Sequence, residues 1–179
     1  HGIACPPPPA RSRIAPAEGG VPVLALKGEK DVGKIAKAAL NEARAKACNV
    51  LIFDNGWHSV SAPMPSSRII EIEPKSNEIQ WEYKTKPGWD FFSSFISGAQ
   101  RQPNGNTVIC EGMKGRVFEV TNEGEIVWQY VNPFFGDDAR FGRSNTVFRA
   151  YRYGPDFPGF KGKDLDPGRF AWLNNLHRP

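Results

Sequence analysis

The sequence lacks several features that would each indicate a function directly. No stretch approaches the ~20 consecutive apolar residues of a membrane-spanning helix, so we expect no membrane span. The chain begins with His1, and the apolar run Ile3-Ala4-Cys5 is too short for the core of a signal peptide, so we expect no signal peptide here and a longer parent protein. Three widely spaced cysteines without a CxxC pair match neither a zinc site nor a dense disulfide framework. We therefore expect no metal and no cofactor.

A uniformly basic charge, the usual mark of nucleic-acid binding, is also missing. The net charge is +4, but residues 1–48 hold eight Lys and Arg against four Asp and Glu, and the rest of the chain holds fifteen of each kind. The excess positive charge is thus confined to the first quarter. A neutral remainder offers no basic stripe for phosphates, so we expect no nucleic-acid partner.

A phosphate-binding loop of the form G-x-x-x-x-G-K-[ST] is absent as well. Residues 21–54 nevertheless predict a strand, a helix over residues 32–46 and a second strand, with Ile35, Ala39 and Leu40 on the helix face that packs against a sheet. The text GVPVLALKGEKDVGKIAKAALNEARAK resembles a segment of signal-recognition-particle GTPases, in which Asp54 would be the magnesium-side aspartate. The family's DTAGR is replaced here by Asp54 followed by residues 55–58, NGWH. We therefore expect no GTP binding.

Glycine, proline and large aromatic residues are plentiful, which favours sheets over a helical bundle: the chain has 18 Gly, 16 Pro and 12 Phe. Residues 67–83 contain RIIEI and EIQWEY, and residues 115–130 contain RVFEV and EIVWQY, 48 and 47 residues later. Upstream, NVLIFDNG at residues 49–56 corresponds to NTVICEG at residues 106–112, and NTVFRA at residues 145–150 starts a third copy. Repeats of about 40 to 50 residues with several short strands are typical of propeller blades.

The fold class predicted from these patterns is mainly β: about two antiparallel β-propeller blades, an incomplete propeller, with one N-terminal helix. We expect the strand from Asn106 to Glu111 to lie beside Arg116 to Thr121, with Glu125 to Tyr130 beyond it. The predicted parts are a disordered proline-rich tail (1–20), a strand–helix segment (21–48), the blades (49–153) and an irregular C-terminal extension (154–179).

The text of residues 91–136, FFSSFISGAQRQPNGNTVICEGMKGRVFEVTNEGEIVWQYVNPFFG, resembles the blades of arylsulfotransferase-like β-propellers, which are secreted or periplasmic. The resemblance covers residues 49 to about 155. It implies a periplasmic or secreted parent that transfers sulfuryl groups between phenolic compounds through a histidine at the mouth of the central channel, with a small aryl sulfate or phenol as ligand. Blades of this family often carry a His-Asp pair where this chain has Ser97-Gly98.

Candidate site residues follow from that resemblance. His58 is the candidate catalytic or sulfate-binding residue, and the alternative is an ordinary loop histidine. Arg101, Arg68 and Arg116 are candidates for substrate binding, because guanidinium groups match sulfate geometry. Since Arg68 and Arg116 share a repeat position, a structural role between blades is the alternative.

The acidic residues of the repeat, Asp54 and Glu111, end its first strand, where they either line the channel or accept backbone hydrogen bonds in the following turn. Trp81 and Trp128 are also repeat-equivalent, and we interpret them as core between blades.

The predicted function is that of a fragment of an arylsulfotransferase-like propeller that lacks the catalytic histidine. The alternative is a non-enzymatic propeller that serves as a binding or scaffold module. Two blades outside a closed ring leave faces uncovered, so we expect Trp81, Trp128, Phe118 and Ile70 to be partly exposed, or covered only by the helix and the Phe134-Phe135 loop. We therefore expect the isolated chain to self-associate.

Overall fold

The fold is dominated by antiparallel β-structure. The computed structural model describes residues 23–25, 41, 48–56, 64–139 and 142–172. The strands are β1 (Val23–Ala25), β2 (Val50–Asp54), β3 (Arg68–Glu73), β4 (Glu78–Tyr83), β5 (Ser97–Arg101), β6 (Thr107–Glu111), β7 (Arg116–Val120), β8 (Ile126–Val131), β9 (Gly136–Asp138) and β10 (Gly142–Ser144). Short 3-10 helices cover Gly88–Asp90, Gly112–Lys114, Pro158–Phe160 and Pro167–Phe170.

The strands form two four-stranded sheets and a small hairpin. The first sheet has the order β1-β2-β3-β4, the second has the order β5-β6-β7-β8, and β9 pairs with β10. In both sheets the last three strands are an antiparallel meander with one irregularity of register, between Glu71 and Ile72 in the first sheet and between Glu119 and Val120 in the second. The predicted neighbours β6, β7 and β8 are adjacent in the structure.

The two sheets differ in their first strand. β5 is antiparallel to β6, whereas β1 occupies the corresponding place beside β2 in the parallel direction, with Val23 opposite Leu51. A parallel pair needs a connection of a dozen or more residues, and the 24 residues between Ala25 and Val50 are enough. The predicted first strand is therefore present, and it completes the first sheet as a mixed sheet.

The main core lies between the two sheets. Phe91, in the connection between β4 and β5, is fully buried and contacts three other aromatic rings at centroid distances between 5.3 and 5.7 Å. These rings belong to Phe53 and Tyr83 of the first sheet and Phe118 of the second. The rings meet edge-on or tilted, the arrangement that aromatic quadrupoles favour. The remaining members of this core are Leu51, Ile69, Ala99, Ile109 and Val120.

The expected exposure of Phe118 and Ile70 is wrong. Phe118 is 0% exposed because Tyr83 of the first sheet and Phe91 of the connection between the sheets cover it, and Ile70 is 7% exposed. Trp81 is partly buried against the same core, whereas Trp128 is 41% exposed. The face between the two sheets is therefore closed, and the uncovered apolar surface lies on the far side of the second sheet.

Several sequence predictions concern residues that the structure does not describe. The proline-rich tail lies wholly outside the described residues, and of the predicted helix over residues 32–46 only Asn41 is described. Within the described ranges, no helix is long and apolar enough to cross a membrane. From residue 154 to 170 the chain is irregular apart from turns and the two last 3-10 helices, and residues 171–172 are helical.

We predict that Phe118→Ala lowers the free energy of unfolding by about 4 kcal/mol, because it opens a cavity in the aromatic core. The matched control is Phe148→Ala, which changes a residue that is 76% exposed and should cost under about 0.5 kcal/mol. Chemical denaturation of both variants measures the difference. Equal losses would show that the two sheets do not pack on Phe118.

Candidate functional site

An acid and an arginine face each other where β2 meets β3 and where β6 meets β7. Asp54 lies opposite Arg68 in the ladder, and Arg68 Nε is 2.9 Å from Asp54 Oδ2. Glu111 lies opposite Arg116 at the same place in the second sheet, with Arg116 Nη1 3.2 Å from Glu111 Oε2. Both arginines also reach the next strand, since Arg68 Nη1 lies 3.1 Å from Glu82 Oε1. Arg116 Nε correspondingly donates to Gln129 Oε1.

The two pairs differ in burial. The Glu111 side chain is fully buried, and besides Arg116 it accepts a hydrogen bond from the Phe92 backbone N–H at 2.9 Å and forms an ion pair with Lys114 Nζ at 2.7 Å. The Arg68 side chain is 42% exposed, against 19% for Arg116. Removing one member of a buried pair leaves a charge without its partner in a dry environment, so the second pair carries more of the fold's stability.

The first pair also sets the turn and the charge state around it. Asp54 Oδ1 accepts a hydrogen bond from the Gly56 backbone N–H at 3.0 Å, in the turn that follows β2. The hydrogen bond to Asp54 raises the pKa of the Arg68 guanidinium. The hydrogen bond from Lys84, followed by that from Arg68, lowers the pKa of Glu82. These hydrogen bonds favour the charged forms of Arg68 and Glu82.

A buried polar network lies at the same ends of the strands. Asn55 Nδ2 donates to the Ser93 carbonyl at 2.5 Å and to Ser97 Oγ at 3.1 Å, while Ser67 Oγ donates to the Asn55 carbonyl at 3.1 Å. Ser93 N–H donates to Ser67 Oγ in turn. These four residues are at most 8% exposed, and the network fixes the chain as it enters residues 57–63.

Gly56, at that entry, is required for steric reasons. Its φ is +71°, and a Cβ there would lie 1.7 Å from the Ser66 carbonyl oxygen, so no other residue fits without moving the backbone. The candidate His58 follows two residues later and lies outside the described residues, as do the other two histidines of the chain.

The structure shows what surrounds Ser97 and Gly98, where the sequence resemblance would place a His-Asp pair. Ser97 is buried and shares its hydroxyl with Asn55. Beside Gly98 lies the side chain of Arg149, whose Cγ would be 3.6 Å from an added Cβ. This position therefore offers a hydroxyl that already has a hydrogen-bond partner, with an arginine from a later part of the chain beside it.

Arg101 belongs to a second kind of contact, which we call the first clasp: Asn49, Glu71, Trp81 and Arg101. Arg101 Nη2 lies 2.6 Å from Glu71 Oε2, and its guanidinium carbon lies 4.4 Å from the centre of the Trp81 ring. Asn49 Nδ2 donates to the other oxygen of Glu71 at 2.8 Å. The clasp joins β5 of the second sheet to β3 and β4 of the first.

An equivalent set, the second clasp, consists of Asn106, Glu119, Trp128 and Arg152. Asn106 Nδ2 donates to Glu119 Oε1 at 2.7 Å, Arg152 forms an ion pair with Glu119, and its guanidinium carbon lies 4.8 Å from the centre of the Trp128 ring. The sequence pattern does not indicate Arg152 as a site residue, because the third copy of the repeat begins at Asn145 when the letters NTV are matched to residues 106–108. The contacts make Ala150 and Arg152 equivalent to Ala99 and Arg101. Both pairs have the spacing Ala-x-Arg, which is the sequence signal for this equivalence.

The segment 145–153 covers part of the free face of the second sheet. Val147 and Ala150 pack on Val108, Cys110 and Val117, just as Ala99 packs with Leu51, Phe53 and Ile69 in the main core. The side-chain amide of Gln100 forms two hydrogen bonds with the backbone of Arg152. Gln100 Nε2 donates to the Arg152 carbonyl at 3.0 Å, and Gln100 Oε1 accepts from the Arg152 N–H at 2.8 Å. A groove of about 420 Å³ remains between this segment and the sheet, lined by Val108, Val117, Trp128, Tyr130, Tyr153 and Phe160 among others.

Cys110 lies beneath the segment. Its thiol is 1% exposed, and burial raises its pKa to about 11. Cys48 is disulfide-bonded, whereas Cys110 is a free thiol whose Sγ donates to the Val147 carbonyl. The Cys110 thiol therefore reports whether segment 145–153 is in place.

The fold and these contacts define a mainly β protein whose meanders are joined by arginine–carboxylate contacts. The family model described as arylsulfotransferase (ASST) matches residues 38–133, more than half of the chain. The protein belongs to the arylsulfotransferase family. No curated protein and no solved structure gives a significant match. The roles suggested for His58, Arg101, Arg68 and Arg116 in catalysis or substrate binding stay predictions.

The equivalent arginines provide a matched test of burial. We predict that Arg116→Met lowers the free energy of unfolding by about 3 kcal/mol, because it leaves the buried Glu111 carboxylate with one cation fewer. Arg68→Met should cost about 1 kcal/mol or less, since that pair is partly hydrated. Urea titrations of both variants provide the measurement, and a larger loss for Arg68→Met would contradict the assignment of burial.

Labelling of Cys110 tests the second clasp. We predict that Arg152→Ala speeds alkylation of the Cys110 thiol at pH 8 about fivefold, because loss of a partly exposed ion pair makes opening of segment 145–153 easier by about 1 kcal/mol. Arg169→Ala, in an exposed pair with Asp164, is the control and should leave the rate unchanged. Mass spectrometry of the labelled peptide gives the rate. An unchanged rate in Arg152→Ala would mean that the clasp does not hold the segment.

Proposed function

We propose that the two sheets are consecutive blades of an arylsulfotransferase-like β-propeller, and that segment 145–153 corresponds to the first strand of a further blade. The observation that carries this proposal is the pair of clasps. In each, an arginine from a later element binds a glutamate and stacks on a tryptophan of the preceding sheet. Identical side-chain chemistry at equivalent positions is what stacking of repeated units requires.

The chain serves, in this proposal, as framework and not as the site of sulfuryl transfer. That chemistry needs a nucleophilic imidazole and cationic groups that hold the sulfate oxygens. Arg68, Arg101 and Arg116 each already bind a carboxylate. Releasing Arg116 would leave the buried Glu111 carboxylate short of a partner, at a cost of about 3 kcal/mol. Ser97 and Gly98 stand where the family often carries its His-Asp pair.

His58 is the one histidine in the propeller part of the sequence and is the proposed nucleophile of an active parent. The described chain before it ends at Gly56, next to the polar network of Asn55, Ser67, Ser93 and Ser97 and to the Asp54–Arg68 pair. If the parent protein is active, a small aryl sulfate or phenol is its proposed ligand, and a periplasmic or secreted location is proposed on the same family grounds.

The second candidate function is that of a non-enzymatic binding or scaffold module. The groove on the second sheet favours it, because aromatic and aliphatic side chains line a surface that no other described residue fills. The two candidates differ in what they require of His58.

A sulfuryl-transfer assay tests the framework proposal. The full chain is incubated with 4-nitrophenyl sulfate and a phenolic acceptor, beside the variant His58→Ala. We expect no acceptor-dependent release of 4-nitrophenol above the buffer rate from either protein. Release by the native chain that His58→Ala abolishes would overturn the framework proposal and assign the nucleophile. Release that persists in the variant would overturn it as well and would direct attention to Ser97.

A further inference from the structure

The outer edge of the second sheet is an open strand without charged residues. β8 is the last strand of that sheet in the described part of the chain, and all six of its residues, IVWQYV, are exposed. Val127, Trp128 and Val131 are 54%, 41% and 50% exposed. Such an edge presents unpaired backbone N–H and C=O groups together with apolar side chains, which is a template for another strand.

The equivalent edge of the first sheet is protected by charge. β4 reads EIQWEY, with Glu78 exposed and Glu82 bound to Arg68 and Lys84. Glu125, the equivalent of Glu78, directly precedes β8, but the positions of Gln80 and Glu82 are occupied by Val127 and Gln129. Both strands have the same irregularity of register with their inner neighbour, so the charge of Glu82 is what distinguishes them. Natural sheets commonly block their edges with charged side chains, and β8 has no such charge within the strand.

We propose that β8 is an interaction surface for a second copy of this chain, which pairs with it edge to edge as an antiparallel strand. A copy of the same edge is the partner that fits, because neither strand brings a charge that the other would have to neutralise. A two-fold axis at Gln129 places Trp128 opposite Tyr130 and Val127 opposite Val131. Aromatic cross-strand pairs are among the contacts that stabilise sheets. A two-fold axis gives a closed dimer, because each copy uses the same edge and no further copy can pair with it.

The surface continues beyond the strand. Phe134 and Phe135 follow β8 and are 65% and 54% exposed, which adds apolar area at the end of the strand. Gln129 also binds Arg116 through its side-chain oxygen at 3.0 Å, so its amide is held near the proposed axis. The pairing uses the edge of the sheet, and its Trp128–Tyr130 contacts border the groove on the sheet's face.

The test introduces a charged side chain into β8, which has Gln129 at the position that Glu82 occupies in β4. Gln129→Glu keeps an acceptor for Arg116 and brings two carboxylates together at the axis, and Val127→Lys adds a cation within the strand. The matched control is Gln80→Lys on β4. Sedimentation velocity over the micromolar range should show a monomer–dimer equilibrium for the native chain, with a dissociation constant raised about tenfold or more by either β8 variant and changed less than about twofold by the control.

Hydrogen exchange supplies the second readout, since the amides of β8 should gain protection as the native concentration rises. Circular dichroism checks that each variant is folded. Because two β8 variants of opposite charge are used, the test still stands if one of them does not fold. A native chain that stays monomeric, or a dimer that Gln129→Glu and Val127→Lys leave intact, overturns the proposal. In the second case the groove on the second sheet becomes the surface to examine. Equal weakening by Gln80→Lys would overturn it too.

Discussion

The covering of one sheet by the next is the constraint on which the rest of this structure depends. A small antiparallel sheet with an apolar face is not stable in water until another layer removes that face from solvent. The first sheet meets the requirement through Phe91 and Phe118, which fill the space over Phe53 and Tyr83. The second sheet presents equivalent residues on its far face, and in the described part of the chain segment 145–153 covers a portion of them. The groove, the partly exposed Trp128 and the dependence of Cys110 burial on a single segment all follow from that difference.

The strands of the two meanders could be predicted from the sequence because their information is local. Alternating apolar residues, turns that contain Asn and Gly, and an acid and an arginine at fixed places define β2 to β4 and β6 to β8. The direction of β1 could not be predicted, since its pairing with β2 is set by the path of the intervening chain and not by its own three residues. The burial of Phe118 was also misjudged, because the pattern shows that a face is apolar but not which sheet covers it.

Part of the candidate site could be predicted from the sequence, namely the equivalence of Arg68 and Arg116, whereas Arg152 could not. The shared position of Arg68 and Arg116 indicated a structural role as one alternative, and the structure gives both of them carboxylate partners in register. Arg152 was hidden because the letters NTV at residues 145–147 repeat those at residues 106–108. The match of letters aligns this segment with β6, whereas the contacts of Arg152 with Gln100 and Glu119 make Arg152 the equivalent of Arg101 in β5.

Arginine is well suited to the contact that joins one sheet to the next, because its guanidinium can do two things at once. Its edge binds a carboxylate while its flat face stacks on an indole, and Arg101 and Arg152 do both. Asn49 and Asn106 then occupy the second oxygen of each glutamate, so the carboxylate has one orientation. A lysine could supply the charge but not the planar face. The clasps therefore fix the position of each later element on the preceding sheet, and this fixed position is what lets a repeated sequence build a repeated packing arrangement.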